Sequence, residues 1–305
     1  MSLFCSALDF SYLCSMTYQE LWNRLTPLYD SGEAKAIARM VLESEFSMTL
    51  TDLYTGKVNE LSAKDLAFLD DIFSRLEKGE PVQYVLGKAE FAGRVFHVEP
   101  GVLIPRPETA QLCQLAEEEL QNSFPVCNTA YRVLDIGTGS GCIAITLALD
   151  LAEKNKKAEV KAWDISDDAL KIASANALAL NAKVLFEKHD ALNLSELPES
   201  EEKFNLIVSN PPYIADEEAK DMEKNVMEFE PHLALFVPND DPLRFYRAIA
   251  EYGKKMLAEG GILAFEMNSR FVRDMEQMLS GLGYSEIRSL KDDFGKYRYT
   301  IARRI

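Results

Sequence analysis

The chain reads as an α/β protein: a mostly parallel, seven-stranded sheet wrapped by helices, preceded by a small helical bundle and a connecting β-hairpin. Three observations carry this reading. From residue 131 onward, short apolar runs alternate with helical segments, the pattern of strands joined by right-handed crossovers. Before residue 81 the apolar residues recur at helical spacing, with nothing resembling a buried strand. The stretch between is β-rich and punctuated by glycine.

In "TYQELWNRLTPLYD" and "GEAKAIARMVLESEF", Leu21, Leu25 and Leu28, then Ile37, Met40, Val41 and Leu42, fall on one side at about 3.6-residue spacing. A further helix is expected in "SAKDLAFLDDIFSRLEKGEP", with Ser62 as N-cap, Asp65 at the capping-box position, and Gly79 and Pro81 as stop signals. Residues 17–80 therefore form a helical bundle. Residues 83–104 form a hairpin with Gly87 and Gly93 at its turns and Phe91 and Phe96 packing it. "PRPETAQLCQLAEEEL" then opens a helix with Pro107 in its first turn and acidic residues early. The expected domains are 1–80, a helical docking domain; 81–110, a hairpin linker; and 111–305, the α/β domain.

Strands in the α/β domain are expected at 132–136, 159–164, 183–190, 204–209, 261–267, 284–290 and 297–304, with helices around 141–155, 167–181, 242–258 and 270–282. A short loop separates the last two strands, which can pair antiparallel at the sheet edge.

Composition narrows the function. The 305 residues are 47% hydrophobic and 27% charged, as in a soluble globular protein with a sizeable core. With 33 Lys and Arg against 49 Asp and Glu, the net charge of −16 repels a polyanion, and no direct nucleic-acid binding is expected. Cys5, Cys14, Cys113, Cys127 and Cys142 are odd in number and form no Cys-x-x-Cys pair, so they read as reduced thiols in a cytoplasmic protein. The N-terminus lacks a basic n-region and carries Asp9, which argues against a signal peptide, and no apolar run is long enough for a bilayer. His97, His189 and His232 make no ligand spacing, so neither a metal nor a catalytic histidine is expected. The expected state is a monomer away from membranes.

The segment "VLDIGTGSGCIAITLAL" (133–149) is a strand, a glycine-rich turn and a helix start. Gly137, Gly139 and Gly141 allow close backbone approach to a ligand at a helix N-terminus, with Thr138 and Ser140 between them. The dinucleotide fingerprint requires a glycine where Cys142 stands, no P-loop lysine follows, and Ser140 is not in a nucleophile elbow. What remains suits a nucleoside with a short polar tail. The next strand ends in Asp164, placed to accept two ribose hydroxyls. The third ends in Asp190 and Ala191, from which an adenine edge can be read.

"SNPPYI" (209–214) follows the apolar strand "FNLIV". A residue before proline is pushed out of the α region, so Asn210 is held extended, while Pro211 and Pro212 fix the next two φ angles and offer no N–H. The result is a rigid, acceptor-lined notch with Tyr213 as a flat face. It suits a planar group bearing NH₂: Asn210 Oδ1 and the Pro211 carbonyl take both N–H protons and aim the nitrogen at an electrophilic methyl. No general base with a tuned pKa is required.

"VLDIGTGSG", Asp164 and "NPPY" together resemble the S-adenosylmethionine-dependent amino-methyltransferases. The stretch "PVQYVLGKAEFAGRVFHVEPGVLIPRPET" (81–109) narrows the resemblance to the protein-(glutamine-N5) methyltransferases of peptide chain release factors, with "EPHLALF" (230–236) and "DDFGKYR" (292–298) in agreement. It covers residues 17–305 and implies a Rossmann-like methyltransferase sheet. It also implies that Gly137–Gly141 and Asp164 bind the cofactor, with Ala191 near adenine. Asn210–Tyr213 would then bind the glutamine of a Gly-Gly-Gln tripeptide in a release factor.

The sequence departs from the pattern at Ala191, where larger residues occur, and at Glu266-Met267-Asn268, where relatives carry Gly and Gln; no role is assigned to those three. Residues 1–15 precede the family's usual start. Arg106 and Glu108 either meet the methionine end of the cofactor or pair with each other. The competing readings are methylation of a ribosomal-protein glutamine and methylation of a DNA or RNA amino group. The acidic charge opposes the second.

Overall fold

The computed structural model describes residues 16–125 and 130–305. Among the cysteines, Cys5, Cys14 and Cys127 lie outside the described residues, while Cys113 and Cys142 are buried free thiols. The chain divides into two compact units, one running to Gly87 and including Lys224–Phe229, the other comprising Lys88–Glu223 and Glu230–Ile305.

The first unit is helical: α1 (Tyr18–Leu25), α2 (Ser31–Phe46), α3 (Leu50–Thr55), α4 (Ala63–Leu76) and α5 (Val82–Leu86). Thr17, Asp30, Thr49 and Ser62 cap the first four helices by accepting N–H bonds from the opening turn. Leu21, Leu25, Ile37, Val41, Leu42, Leu69 and Phe73 build its core. Two expected members stay out of it. Leu28 is exposed because α1 ends at Leu25, so the helical period does not reach it, and Met40 is exposed at the border of the α2 stripe.

The second unit opens with a hairpin shorter than the 83–104 expected. Its strands β1 (Lys88–Phe91) and β2 (Arg94–His97) pair antiparallel. Residues 82–86 coil into α5 instead, closed by Gly87 in the left-handed region at φ 66°. Phe91 and Phe96 meet edge to face at 5.9 Å and join the main core.

After α6 (Pro107–Ser123) come β3 (Tyr131–Ile136), α7 (Cys142–Glu153), β4 (Ala158–Asp164), α8 (Asp167–Ala179), β5 (Val184–Lys188) and β6 (Phe204–Ser209). Next are β7 (Ile214–Ala215), α9 (Lys224–Phe229), α10 (His232–Leu235), β8 (Phe236–Val237), α11 (Arg244–Met256), β9 (Leu257–Glu266), α12 (Val272–Gly281), β10 (Tyr284–Lys291) and β11 (Tyr297–Arg304). The small pieces between 214 and 237 were not legible as elements, and β9 begins four residues before the strand expected at 261, because α11 stops at Met256.

Seven strands form one sheet in the order β10-β11-β9-β6-β3-β4-β5. Strands β9, β6, β3, β4 and β5 are parallel, and β11 is antiparallel to both neighbours. This is the Rossmann-like sheet expected, with β10 at the edge. Central strands β3 and β6 are buried on both faces, as parallel strands sandwiched by helices must be. One core cluster lies on the face with α6 and α7, the other on the face with α11 and α12. The chain leaves β3 toward β4 and β5, then returns to β6 on the other side of β3. That reversal opens a crevice at the carboxyl ends of β3 and β6, the general ligand position of such sheets.

Candidate active site

A cavity of about 420 Å³ occupies this crevice. Its walls include Gly137, Thr138, Gly139 and Ser140 from the loop after β3, Asp164 from the end of β4, and Asp190 and Ala191 beyond β5. Asn210, Pro211 and Pro212 complete it from the end of β6. The two motifs meet because β3 and β6 are in parallel register, Asp135 opposite Val208, and Ser209 Oγ donates to Ile136 O at 2.6 Å.

The glycine loop is held from below and from both sides. Beneath it, the buried Asp135 Oδ2 accepts from Thr138 Oγ1 at 2.6 Å and from Ala144 N at 3.2 Å. Burial pushes the Asp135 carboxyl up to about 7, against the pull of those two bonds. From β4, Asp164 Oδ2 accepts from Gly139 N at 2.9 Å, and Oδ1 accepts from Ser166 N at 2.9 Å. From α8, the buried Asn176 donates to Ser140 O at 2.9 Å and to His97 O at 3.0 Å, and accepts from His97 N at 2.7 Å. One side chain thus ties the hairpin to the loop.

The three glycines do different work. Gly137 and Gly139 have φ of 76° and 53°, with nothing within 4 Å of where a Cβ would stand, so their open side is a cradle that larger residues would fill. Gly141 does not line the cavity. A Cβ there would meet Ile145 Cδ1 at 2.9 Å and Ala173 Cβ at 3.0 Å, so it serves close packing of α7 on α8.

These features fit an S-adenosyl cofactor. Each Asp164 oxygen accepts one backbone N–H and keeps lone-pair capacity for a ribose hydroxyl. Burial raises its pKa despite those bonds. Asp190 is committed locally, accepting from Leu192 N at 2.9 Å and Asn193 Nδ2 at 2.8 Å. Ala191 is partly buried against the second core cluster. Ile136, Ile165 and Leu192 supply apolar wall for a base.

Tyr213 is not where its neighbours are. It does not line the cavity, and its ring turns into the second core cluster instead of offering a flat face to a substrate. Its hydroxyl donates to Glu266 Oε1 at 3.1 Å, and burial together with that carboxylate raises its pKa.

Glu266, at the end of β9, is fully buried and was given no role by the sequence. Its Oε2 accepts from Thr109 Oγ1 at 2.7 Å, and Thr109 Oγ1 in turn accepts from Asn210 Nδ2 at 3.3 Å. Desolvation pushes Glu266 up to about 7, partly offset by the Thr109 bond and by Arg298. The sequence signal was an acid directly after the apolar run Ile262–Phe265.

Arg106 and Glu108 do not pair with each other. Arg106 bonds Glu230, whose side chain is 1% exposed and also accepts from Ile104 N at 3.2 Å. Glu108 lies 3.6 Å from Arg298. The "IPRPET" and "EPHLALF" segments thereby lock together at the cavity, with Arg106 and Leu233 in its wall. Among the described residues, no cluster of His, Cys, Asp or Glu is arranged to hold a metal.

The sequence comparisons agree with this geometry. Residues 114–229 match the methyltransferase small domain, and residues 19–87 match the PrmC N-terminal domain. A release factor glutamine methyltransferase of Bacteroides thetaiotaomicron is 45% identical over 280 residues, covering 92% of this chain and 96% of the relative. One from Flavobacterium psychrophilum is 36% identical, covering 90% and 93%, and one from Streptococcus pneumoniae is 36% identical, again covering 90% and 93%. On this likeness, and on a glycine cradle and proline-braced notch facing one cavity, the chain belongs to the release factor glutamine methyltransferases and is an S-adenosylmethionine-dependent methyltransferase.

Proposed function

We propose that this protein methylates the side-chain amide nitrogen, N5, of the glutamine in the Gly-Gly-Gln tripeptide of a peptide chain release factor. The observation that carries the reading is the sharing of one cavity by the glycine loop and Asn210-Pro211-Pro212.

Gly137 to Ser140, Asp164, Asp190 and Ala191 hold the cofactor, while Gly141 packs α7 on α8 behind the loop. Asn210, Pro211 and Pro212 hold the glutamine, and Tyr213 braces them from behind. The bound cofactor supplies an electrophilic methyl group. An amide nitrogen is a poor nucleophile because its lone pair is delocalised into the carbonyl. Asn210 Oδ1 and the Pro211 carbonyl accept its two N–H protons, which fixes its direction and favours positive charge on it. Each such contact, acting only as charge develops, is worth about 3–4 kcal/mol, and alignment in a near-attack geometry about 7–11 kcal/mol.

The helical unit, residues 1–80 as read from sequence, serves as the docking domain for the release factor, residues 81–110 as its link to the α/β domain of 111–305. The enzyme works as a cytoplasmic monomer on a protein substrate, not on nucleic acid; its net charge of −16 supports the last point. Among the described residues, no helix is long and apolar enough to cross a membrane.

The test is incubation with methyl-labelled cofactor and, separately, purified release factor, ribosomal proteins and DNA, with the label located by mass spectrometry. One methyl on the glutamine of Gly-Gly-Gln is expected. Label confined to a ribosomal protein or to nucleic acid would move the reading to one of those substrates.

A further inference from the structure

We propose that Glu266 is a positioning residue which, acting through Thr109, determines which end of the Asn210 carboxamide faces the cavity. The proposal rests on the reading in which Asn210 receives the substrate glutamine.

An Asn side chain has an accepting oxygen and a donating NH₂ of nearly equal shape, and only the oxygen can take a proton from a substrate amide. Nothing in the proline brace distinguishes the two orientations, because Pro211 and Pro212 fix the backbone and leave the side-chain torsion free. The distinction comes from behind. Glu266 closes β9, and its carboxylate, the form that prevails above about pH 7, accepts and cannot donate. It is fully buried, so the donors around it are not replaced by water.

Two hydroxyls face that carboxylate, Thr109 on Oε2 at 2.7 Å and Tyr213 on Oε1 at 3.1 Å. Thr109 has a single hydroxyl hydrogen, and Glu266 takes it. What remains on Thr109 Oγ1 is lone pair, so the neighbour 3.3 Å away must present a donor, which is Asn210 Nδ2. The amide oxygen of Asn210 is thereby left toward the cavity. Glu266 also anchors the other end of the motif through Tyr213, while its own backbone carbonyl accepts from Tyr246 Oη at 3.0 Å. Four elements thus converge: the start of α6, the end of β6 and its following loop, the end of β9, and α11.

A buried carboxylate that only filled space would be indifferent to the order of donors. Here a change of Glu266 to its amide isostere supplies a donor where two hydroxyls already donate. One of the two must turn round, and if it is Thr109, Asn210 turns with it.

The experiment compares Glu266→Gln, Thr109→Val and Thr109→Ser with the parent enzyme. Steady-state kinetics are measured on a purified release factor, cofactor affinity by calorimetry, and the Asn210 side-chain NH₂ signals by ¹⁵N-resolved NMR of the cofactor-bound protein. Glu266→Gln and Thr109→Val are expected to lower kcat by about tenfold to a hundredfold, the cost of one misdirected polar contact, with cofactor affinity and KM little changed. The Asn210 amide signals should shift in both, and Thr109→Ser, which keeps the hydroxyl, should restore the rate and the signals. If Glu266→Gln fails to fold, Thr109→Val still decides the matter. Parental kcat and unshifted Asn210 signals in Thr109→Val would overturn the proposal, as would a loss that Thr109→Ser does not repair. Should the parent enzyme leave the release factor unmodified, the substrate reading fails, and the NMR comparison alone then judges the positioning role.

Discussion

Gly139 donates its backbone N–H to Asp164 Oδ2 across 2.9 Å, so the carboxylate placed to meet ribose hydroxyls also pins the glycine loop. Loop and carboxylate are one unit. Asp164→Ala is therefore expected to weaken cofactor binding about tenfold to a hundredfold, the worth of hydrogen bonds to a charged group. Calorimetric titration with cofactor measures this directly. Unchanged affinity would remove Asp164 from the site.

Asn210 stands on the opposite wall of the cavity and makes a different prediction. Asn210→Ala should lower turnover about 10²–10³-fold, as loss of one preorganised contact does elsewhere, with cofactor affinity nearly intact. Single-turnover kinetics beside a binding isotherm separate the two effects. An equal loss in both would contradict the division of labour between the ends of β3 and β6.

Asn176 makes three hydrogen bonds from a buried position, two to the backbone of His97 and one to Ser140 O. Asn176→Leu removes all three bonds, and the buried Ser140 O then lacks this donor at a cost of about 1–3 kcal/mol. Urea denaturation should register that loss, and cofactor affinity should fall as well, because the loop loses its tie to the hairpin. A variant with parental stability and parental affinity would show the tie to be idle.

Two buried carboxyls give stability a pH dependence of definite sign. Asp135 and Glu266 are both pushed up to about 7 by burial, from ordinary values of 3.8 and 4.5. A folded-state pKa above the unfolded one means that the folded state binds more protons in between. Their contribution is therefore fully present below about pH 4 and is lost as pH rises to about 7, levelling off above. Comparing urea-unfolding free energies at pH 5 and pH 8, Asp135→Asn and Glu266→Gln should each flatten the decline relative to the parent. Parallel profiles in parent and variants would refute the assignment.

The amino-acid sequence by itself determined the alternation of strands and helices, the helical N-terminal unit, the glycine turn, Asp164 at its strand end and the braced Asn210. Those features depend on residues contiguous in the chain, where periodicity, φ restriction at proline and φ freedom at glycine act locally. Only the tertiary structure decided that Tyr213 turns inward, that Arg106 pairs with Glu230 124 positions away, and that Glu266 receives Thr109 from 157 positions away. The worth of a buried carboxyl depends on which donors the strand order brings to it. That order, with β9 and β3 on either side of β6, is set by packing across the whole sheet and not by any local run of residues.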